Sequence, residues 1–246
     1  AMTQMGGHAI YLTKHDINIG ERESIKDVSK VLSRFIDCIA IRTYDHKTVI
    51  ELADSSSVPV INALSDYTHP CQALTDLYTI KEKKGSLDNV NLAYVGDGNN
   101  VARSLAFLCA KLKVSCTIAS PENYELSAQF LNELENNVIG KDSYIKQIRD
   151  PREAVKGADV IYTDTWISMG EEEEAEARRQ DFKGFQVNNE LISYAKKDVF
   201  VMHCLPAHRG EEITDDVIDG EHSIVYDQAE NRLHVQKALL KLLISG

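Results

Sequence analysis

Short apolar runs alternate with segments of helical periodicity along this chain of 246 residues, and that alternation limits the fold more than any other feature. Residues 38–41, 58–62, 90–95, 114–119, 145–149, 160–163 and 199–202 read as buried strands, and 9–12 as a shorter one. Between them, 24–35, 46–53, 71–84, 101–112, 127–135, 151–155 and 189–195 read as helices, and 229–244 closes the chain as an amphipathic helix. The sequence before residue 8 reads as the end of a helix stopped by Gly6 and Gly7. Strands covered on both faces are continuously apolar, and a strand–helix–strand rhythm implies parallel pairing with right-handed crossovers. The fold class is therefore α/β, with doubly wound parallel sheets. The Gly-Ser-Leu-Asp-Asn segment at 85–89 is the best boundary between two such units.

Composition excludes several functions. Apolar residues make up 43% and charged residues 26%, the balance of a globular protein. No apolar run approaches the roughly 18–20 residues needed to span a bilayer, and no secretory leader is visible. A formal net charge of −11 argues against nucleic acid as a partner, although a local basic pocket could still hold an anion. The four consecutive glutamates from Glu171 to Glu174 read as a solvated helix start. Five cysteines, an odd number without C-x-x-C spacing, suggest a reducing compartment with neither a disulfide framework nor a structural zinc.

Ligands of open α/β sheets bind beyond the carboxyl ends of the strands, so the residues at those ends are the candidates. Arg42 ends the 38–41 run and suits a phosphate or carboxylate; a surface salt bridge is the competing explanation. His69-Pro70-Cys71-Gln72 lies at a helix start, where free N–H groups favour anions. Gly96-Asp97-Gly98-Asn99-Asn100 occupies the place of a dinucleotide fingerprint. Val101 stands where the third glycine belongs, and no acidic residue ends the next strand, so a nucleotide cofactor is a poor fit. Asn100 could bind a small carboxylate, or the turn could simply carry an Asn cap. Asp164 follows the 160–163 run and could pair with an ammonium. Ser168 and the backbone near Gly170 could donate to a carboxylate, while Trp166 reads as packing on the core. His203-Cys204-Leu205-Pro206-Ala207-His208-Arg209-Gly210 follows the last strand. Arg232 is expected at the start of the closing helix, where a basic side chain opposes the helix dipole and is better explained by a role elsewhere.

In order and at these separations, H-P-x-Q (69–72), G-D-G-N-N (96–100), D-x-W-x-S-M-G (164–170), H-C-L-P-A-H-R-G (203–210) and A-E-N-R (229–232) resemble the ornithine carbamoyltransferases over essentially the whole chain. The resemblance implies a carbamoyl-phosphate domain at 1–85, an ornithine domain at 86–228, and a helix at 229–246 returning to the first domain. It also implies a homotrimer in the cytoplasm, or in the mitochondrial matrix of a eukaryote, with no metal or organic cofactor. The implied reaction is attack by the δ-amino group of L-ornithine on carbamoyl phosphate, giving L-citrulline and phosphate in arginine biosynthesis. Arg42, His69, Gln72, Cys204, Leu205 and Arg232 would meet carbamoyl phosphate. Asn100, Asp164, Ser168, Met169 and Cys204 would meet ornithine. Arg42, His69, Cys204 and Arg232 would carry the catalysis, cations offsetting the leaving phosphate and donors polarising the carbonyl.

The family's Ser-Thr-Arg-Thr-Arg phosphate loop precedes the helix that ends in Gly6-Gly7, and it is not in these 246 residues. The first domain is accordingly expected to be incomplete at its N-terminus, and the chain alone nearly inactive. Three other readings stay open. A homologue that binds ornithine without chemistry would show binding and no turnover. A cysteine hydrolase using Cys204 with His203 or His208 would be alkylated quickly at neutral pH. A transferase for another amine, such as putrescine, is the third; the S-M-G loop and Asp164 argue instead for an amino acid with an α-ammonium.

Overall fold

Seven of the eight expected strands form, and every pairing between them is parallel. The computed structural model describes residues 1–139, 144–168 and 170–245. These divide into two units, 1–71 with 232–246, and 72–231.

In the first unit a single 3-10 turn, Thr3–Met5, ends at Gly6 in the left-handed region, as the sequence suggested. A short helix, α1 (Lys14–Ile17), follows, then α2 (Ile25–Leu32), capped by the Ser24 side chain on the Asp27 amide. Strand β1 (Ile39–Arg42), helix α3 (His46–Ser55) and strand β2 (Val60–Leu64) make a parallel βαβ unit. Two expectations fail here. Residues 9–12 pair with no strand among the described residues, and Tyr11 is 88% exposed. An apolar run becomes a strand only where a ladder takes up its N–H and C=O groups. Strand β2 begins two residues later than expected, because Pro59 has no N–H to give; its carbonyl accepts from Ile39 at 2.9 Å, and the ladder starts at Val60.

Helix α4 (Pro70–Lys84) leads into the second unit, with Pro in its first turn. There β3 (Asn91–Val95), α5 (Asn100–Leu112), β4 (Ser115–Ala119), α6 (Ala128–Leu134), β5 (Ile145–Ile148), α7 (Pro151–Val155) and β6 (Val160–Thr163) follow in strict alternation. Helices α8 (Ala175–Asp181) and α9 (Asn189–Ile192) precede β7 (Phe200–His203); α10 (Asp215–Ile218) and the long α11 (Val225–Ser245) come after it. The sheet order is β5-β4-β3-β6-β7. The order runs outward from β3 in both directions, so the topological switch point lies between β3 and β6, where such sheets bind ligands.

The core of this unit is what the continuous apolar runs imply. Tyr94, Ile161, Tyr162, Val201 and Met202 are fully buried, and the rings of Tyr94 and Tyr162 stack at 5.7 Å. Each such side chain contributes on the order of 1.5–3 kcal/mol by leaving water. Trp166 joins the core, stacked on Phe182 at 5.5 Å, as its composition suggested.

The turn after β3 needs its glycines. Gly96 has φ +150°, and a Cβ on Gly98 would lie 2.6 Å from backbone atoms of Glu125 and Leu126. Since backbone cannot yield as a flexible side chain can, Gly98→Ala is expected to cost about 1–3 kcal/mol. The melting temperature should fall by several degrees; an unchanged value would mean that the 121–126 loop gives way freely.

Candidate active site

In the first unit the site residues are two arginines and a histidine. Arg42 is the last residue of β1 and is exposed. His69 immediately precedes α4 and is buried. Burial, then the charges of Arg232 and Arg42, lower the His69 pKa to about 4. Near neutral pH its ring is uncharged and carries one N–H, a donor that brings no charge of its own. Arg232 corrects the sequence reading: α11 begins at Val225, so Arg232 sits in the third turn and the helix-dipole argument does not apply. Its Nε is buried without a hydrogen-bond partner among the described residues.

In the second unit three strand ends converge on the switch point. Asp164 follows β6 and is buried. Its Oδ2 accepts from Asn99 Nδ2 at 2.9 Å, and its Oδ1 accepts from the Cys204 thiol at 3.0 Å. Asn99 also caps α5, its Oδ1 accepting from the amides of Val101 and Ala102. The glycine turn therefore does carry an Asn cap, and the capping residue is Asn99; Asn100 is the first residue of the helix. Ser168 lies four residues beyond Asp164, its N–H held by Glu171 Oε2 at 2.9 Å. Met169 lies outside the described residues. Glu171 departs from the expected solvated face: its other oxygen is 2.6 Å from Arg178 Nη2.

Cys204 and Leu205 follow β7. Burial, and then the carboxylate of Asp164, push the Cys204 thiol well above its ordinary value, so it stays protonated and donates. Its neighbour His203 cannot serve as its base. His203 Nδ1 accepts from the Leu205 N–H at 2.9 Å, which leaves Nε2 to carry the proton toward Glu212 at 3.1 Å. His208 is turned to Thr165 Oγ1 at 2.9 Å. This arrangement disfavours the cysteine-hydrolase reading. Leu205 has φ +57°, an uncommon conformation for a leucine.

Gln72, in the first turn of α4, donates from Nε2 to the buried Asp76 Oδ1 at 2.8 Å. The same Asp76 oxygen accepts from Gln228 Nε2 at 2.7 Å, and Gln228 Oε1 accepts from the His203 N–H at 3.0 Å. One carboxylate thus ties Gln72 to the strand end that carries Cys204. Sequence reasoning missed Asn99, Asp76, Gln228 and Arg178. Asn99 was legible as a cap; the other three carry no local signal. The ligand atoms of Asp164, His203 and Cys204, and of His208, Glu211 and Glu212, lie within 4.8 Å of one another. In the first group the hydrogen bonds described above already engage Asp164, His203 and Cys204.

The arginines and the neutral imidazole of the first unit suit an anion, and the buried carboxylate beside a protonated thiol in the second suits an amine or ammonium. The comparisons are specific. Residues 1–82 match the carbamoyl-P binding domain of aspartate/ornithine carbamoyltransferase, and residues 88–243 match the Asp/Orn binding domain. An ornithine carbamoyltransferase of Pyrococcus abyssi is 54% identical over 246 residues, covering 100% of this chain and 78% of that one. The solved ornithine carbamoyltransferase of Pyrococcus furiosus superposes with a TM-score of 0.95 at 53% identity, over 100% of this chain and 78% of the other. A mitochondrial ornithine carbamoyltransferase from Coccidioides immitis gives 0.89 at 38% identity, over 99% and 77%. The chain belongs to the aspartate/ornithine carbamoyltransferase family.

Proposed function

We propose that the protein transfers the carbamoyl group of carbamoyl phosphate to the δ-amino group of L-ornithine, giving L-citrulline and phosphate, in arginine biosynthesis. The observation that carries the choice of acceptor is Asp164. A carboxylate buried at the switch point stabilises an α-ammonium and repels the second carboxylate of an acidic acceptor such as L-aspartate. Arg42 and Arg232 offset the charge of the phosphate, and the neutral His69 donates to the carbonyl oxygen as it becomes an oxyanion. Gln72, held by Asp76, faces the carbamoyl group. Asn100, Ser168 and Met169 take the amino-acid end of ornithine. Cys204 and the Leu205 carbonyl receive the δ-amine, which must be neutral to attack. The assembly is a homotrimer in the cytoplasm, a reading that rests on the family resemblance alone. No helix among the described residues is long and apolar enough to cross a membrane.

The test is citrulline formation from carbamoyl phosphate with L-ornithine, L-aspartate and putrescine in parallel. L-ornithine should be preferred by far. Ornithine binding without turnover would replace this reading with that of a binding homologue, and faster turnover of either other amine would reassign the acceptor.

Because the thiol is protonated and donates to a carboxylate, it is not a nucleophile. Cys204→Ser keeps a donor of similar reach, so it should retain measurable turnover while its KM for ornithine changes. Mass spectrometry showing a carbamoyl group on Cys204 during turnover would reverse this assignment.

A further inference from the structure

We propose that Arg178 is a positioning residue for amino-acid recognition: its guanidinium sets the loop 164–171 against the glycine turn 96–100, and so places Ser168 for the acceptor. The identity of that acceptor rests on the reading above; the positioning does not.

Arg178 projects from α8 and is 6% exposed. Its Nη1 donates to Asp97 Oδ2 at 2.9 Å and to the Trp166 carbonyl at 3.0 Å. Its Nη2 lies 2.6 Å from Glu171 Oε1. The guanidinium stands over the Tyr124 ring, 4.9 Å from its centroid. One side chain therefore grips the loop at two points, residues 166 and 171, and the glycine turn at a third. Each grip leads to a site residue. Glu171 holds the Ser168 amide at 2.9 Å with its other oxygen, and its own N–H returns to the Ser168 carbonyl at 3.1 Å. Asp97 lies between Gly96 and Gly98 and two residues before Asn99, the partner of Asp164. The backbone carbonyl of Tyr124, whose ring the guanidinium covers, accepts from the Gly98 N–H at 2.7 Å.

A buried cation with this many acceptors is a costly way to gain stability, since apolar packing of the same volume commonly does as well. What the guanidinium supplies is direction: several donors in a rigid plane, aimed at three chain segments at once. Burial opposes its charge, yet the carboxylates of Asp97 and Glu171 raise its pKa above the ordinary value, so it remains a cation throughout. Lysine would keep the charge and lose the plane.

The test compares Arg178→Gln and Arg178→Lys with the parent protein. Both should raise the KM for L-ornithine by about tenfold or more, leave the KM for carbamoyl phosphate within about twofold, and keep most of kcat at saturating ornithine, the pattern of lost positioning in one half of the site. Trp166 is the only tryptophan of the chain, so its emission reports the loop without any turnover. It should shift to the red in both variants and move back when ornithine is added to the Gln variant. Should Arg178→Gln fail to fold, Glu171→Gln, at a half-exposed partner, should give the same split more weakly. The proposal is overturned if both KM values rise together, if Arg178→Lys restores the parent KM, or if folded variants keep the parent emission and kinetics. A parent protein that makes no citrulline, with the emission shift still present, would remove the acceptor assignment and leave the positioning role standing.

Discussion

Replacing Asp164 with asparagine is expected to abolish most of the activity toward L-ornithine while leaving carbamoyl-phosphate binding nearly intact. The substitution preserves shape, so the effect is one of charge and donor direction. Asp164 offers two acceptor oxygens, one taken by the Cys204 thiol at 3.0 Å and one by the Asn99 amide at 2.9 Å. An asparagine presents one acceptor and one donor. Whichever way it turns, an N–H₂ group meets another donor, and a hydrogen bond is lost inside the core. The α-ammonium of the acceptor loses its counter-charge as well. Breaking a buried, hydrogen-bonded charge pair costs about 2–5 kcal/mol, or roughly 30- to several-thousand-fold in kcat/KM. A second readout follows from the thiol. Asp164 stands next after burial among the causes that raise the Cys204 pKa, so removing its charge lowers that pKa. Alkylation by iodoacetamide at pH 8 should become faster, though still slow, because burial remains. Calorimetric titration with each substrate separates the effects. An equal loss for carbamoyl phosphate and ornithine would move Asp164 out of the acceptor site.

The fold of the second unit was legible because its central strands are buried on both faces. Runs such as Val160–Thr163 leave no choice of periodicity, and that strand appears with the bounds expected of it. The errors fall where hydrogen bonding decides and pattern does not. Residues 9–12 have the composition of a strand without a ladder, and Pro59 delays β2 by withholding a donor. The site was legible at the strand ends, since Arg42, Asp164 and Cys204 stand where open sheets bind ligands. What supports them was not. Asp76 and Gln228 meet 152 positions apart in sequence, and Arg178 reaches back 81 positions to Asp97. Such pairings depend on the order of strands in the sheet, which local sequence does not encode. Arg232 was singled out by a helix-dipole argument that the structure removes, because the helix begins at Val225.

The second large effect is expected at the other half of the reaction. Arg42→Met keeps the aliphatic stem and removes the guanidinium, so β1 and its pairing with β2 should survive. A departing phosphate carries close to two negative charges and needs convergent donors. Losing one preorganised donor costs about 10²–10³ in rate, and kcat/KM for carbamoyl phosphate should fall by that much. His69 supplies an internal check. Its pKa of about 4 is set by burial first, by Arg232 second and by Arg42 third, each disfavouring the imidazolium. Removing the Arg42 charge must therefore raise that pKa, while burial and Arg232 keep it below 6.5. Carbamoyl phosphate, by bringing negative charge to the same cluster, should raise it in the parent protein as well. NMR titration of the imidazole nitrogens in the parent, the variant and the parent with substrate reads all three shifts. If Arg42→Met leaves both the His69 titration and the carbamoyl-phosphate kinetics where they were, Arg42 is an exposed arginine at a strand end and the phosphate is held by Arg232 and His69 without it.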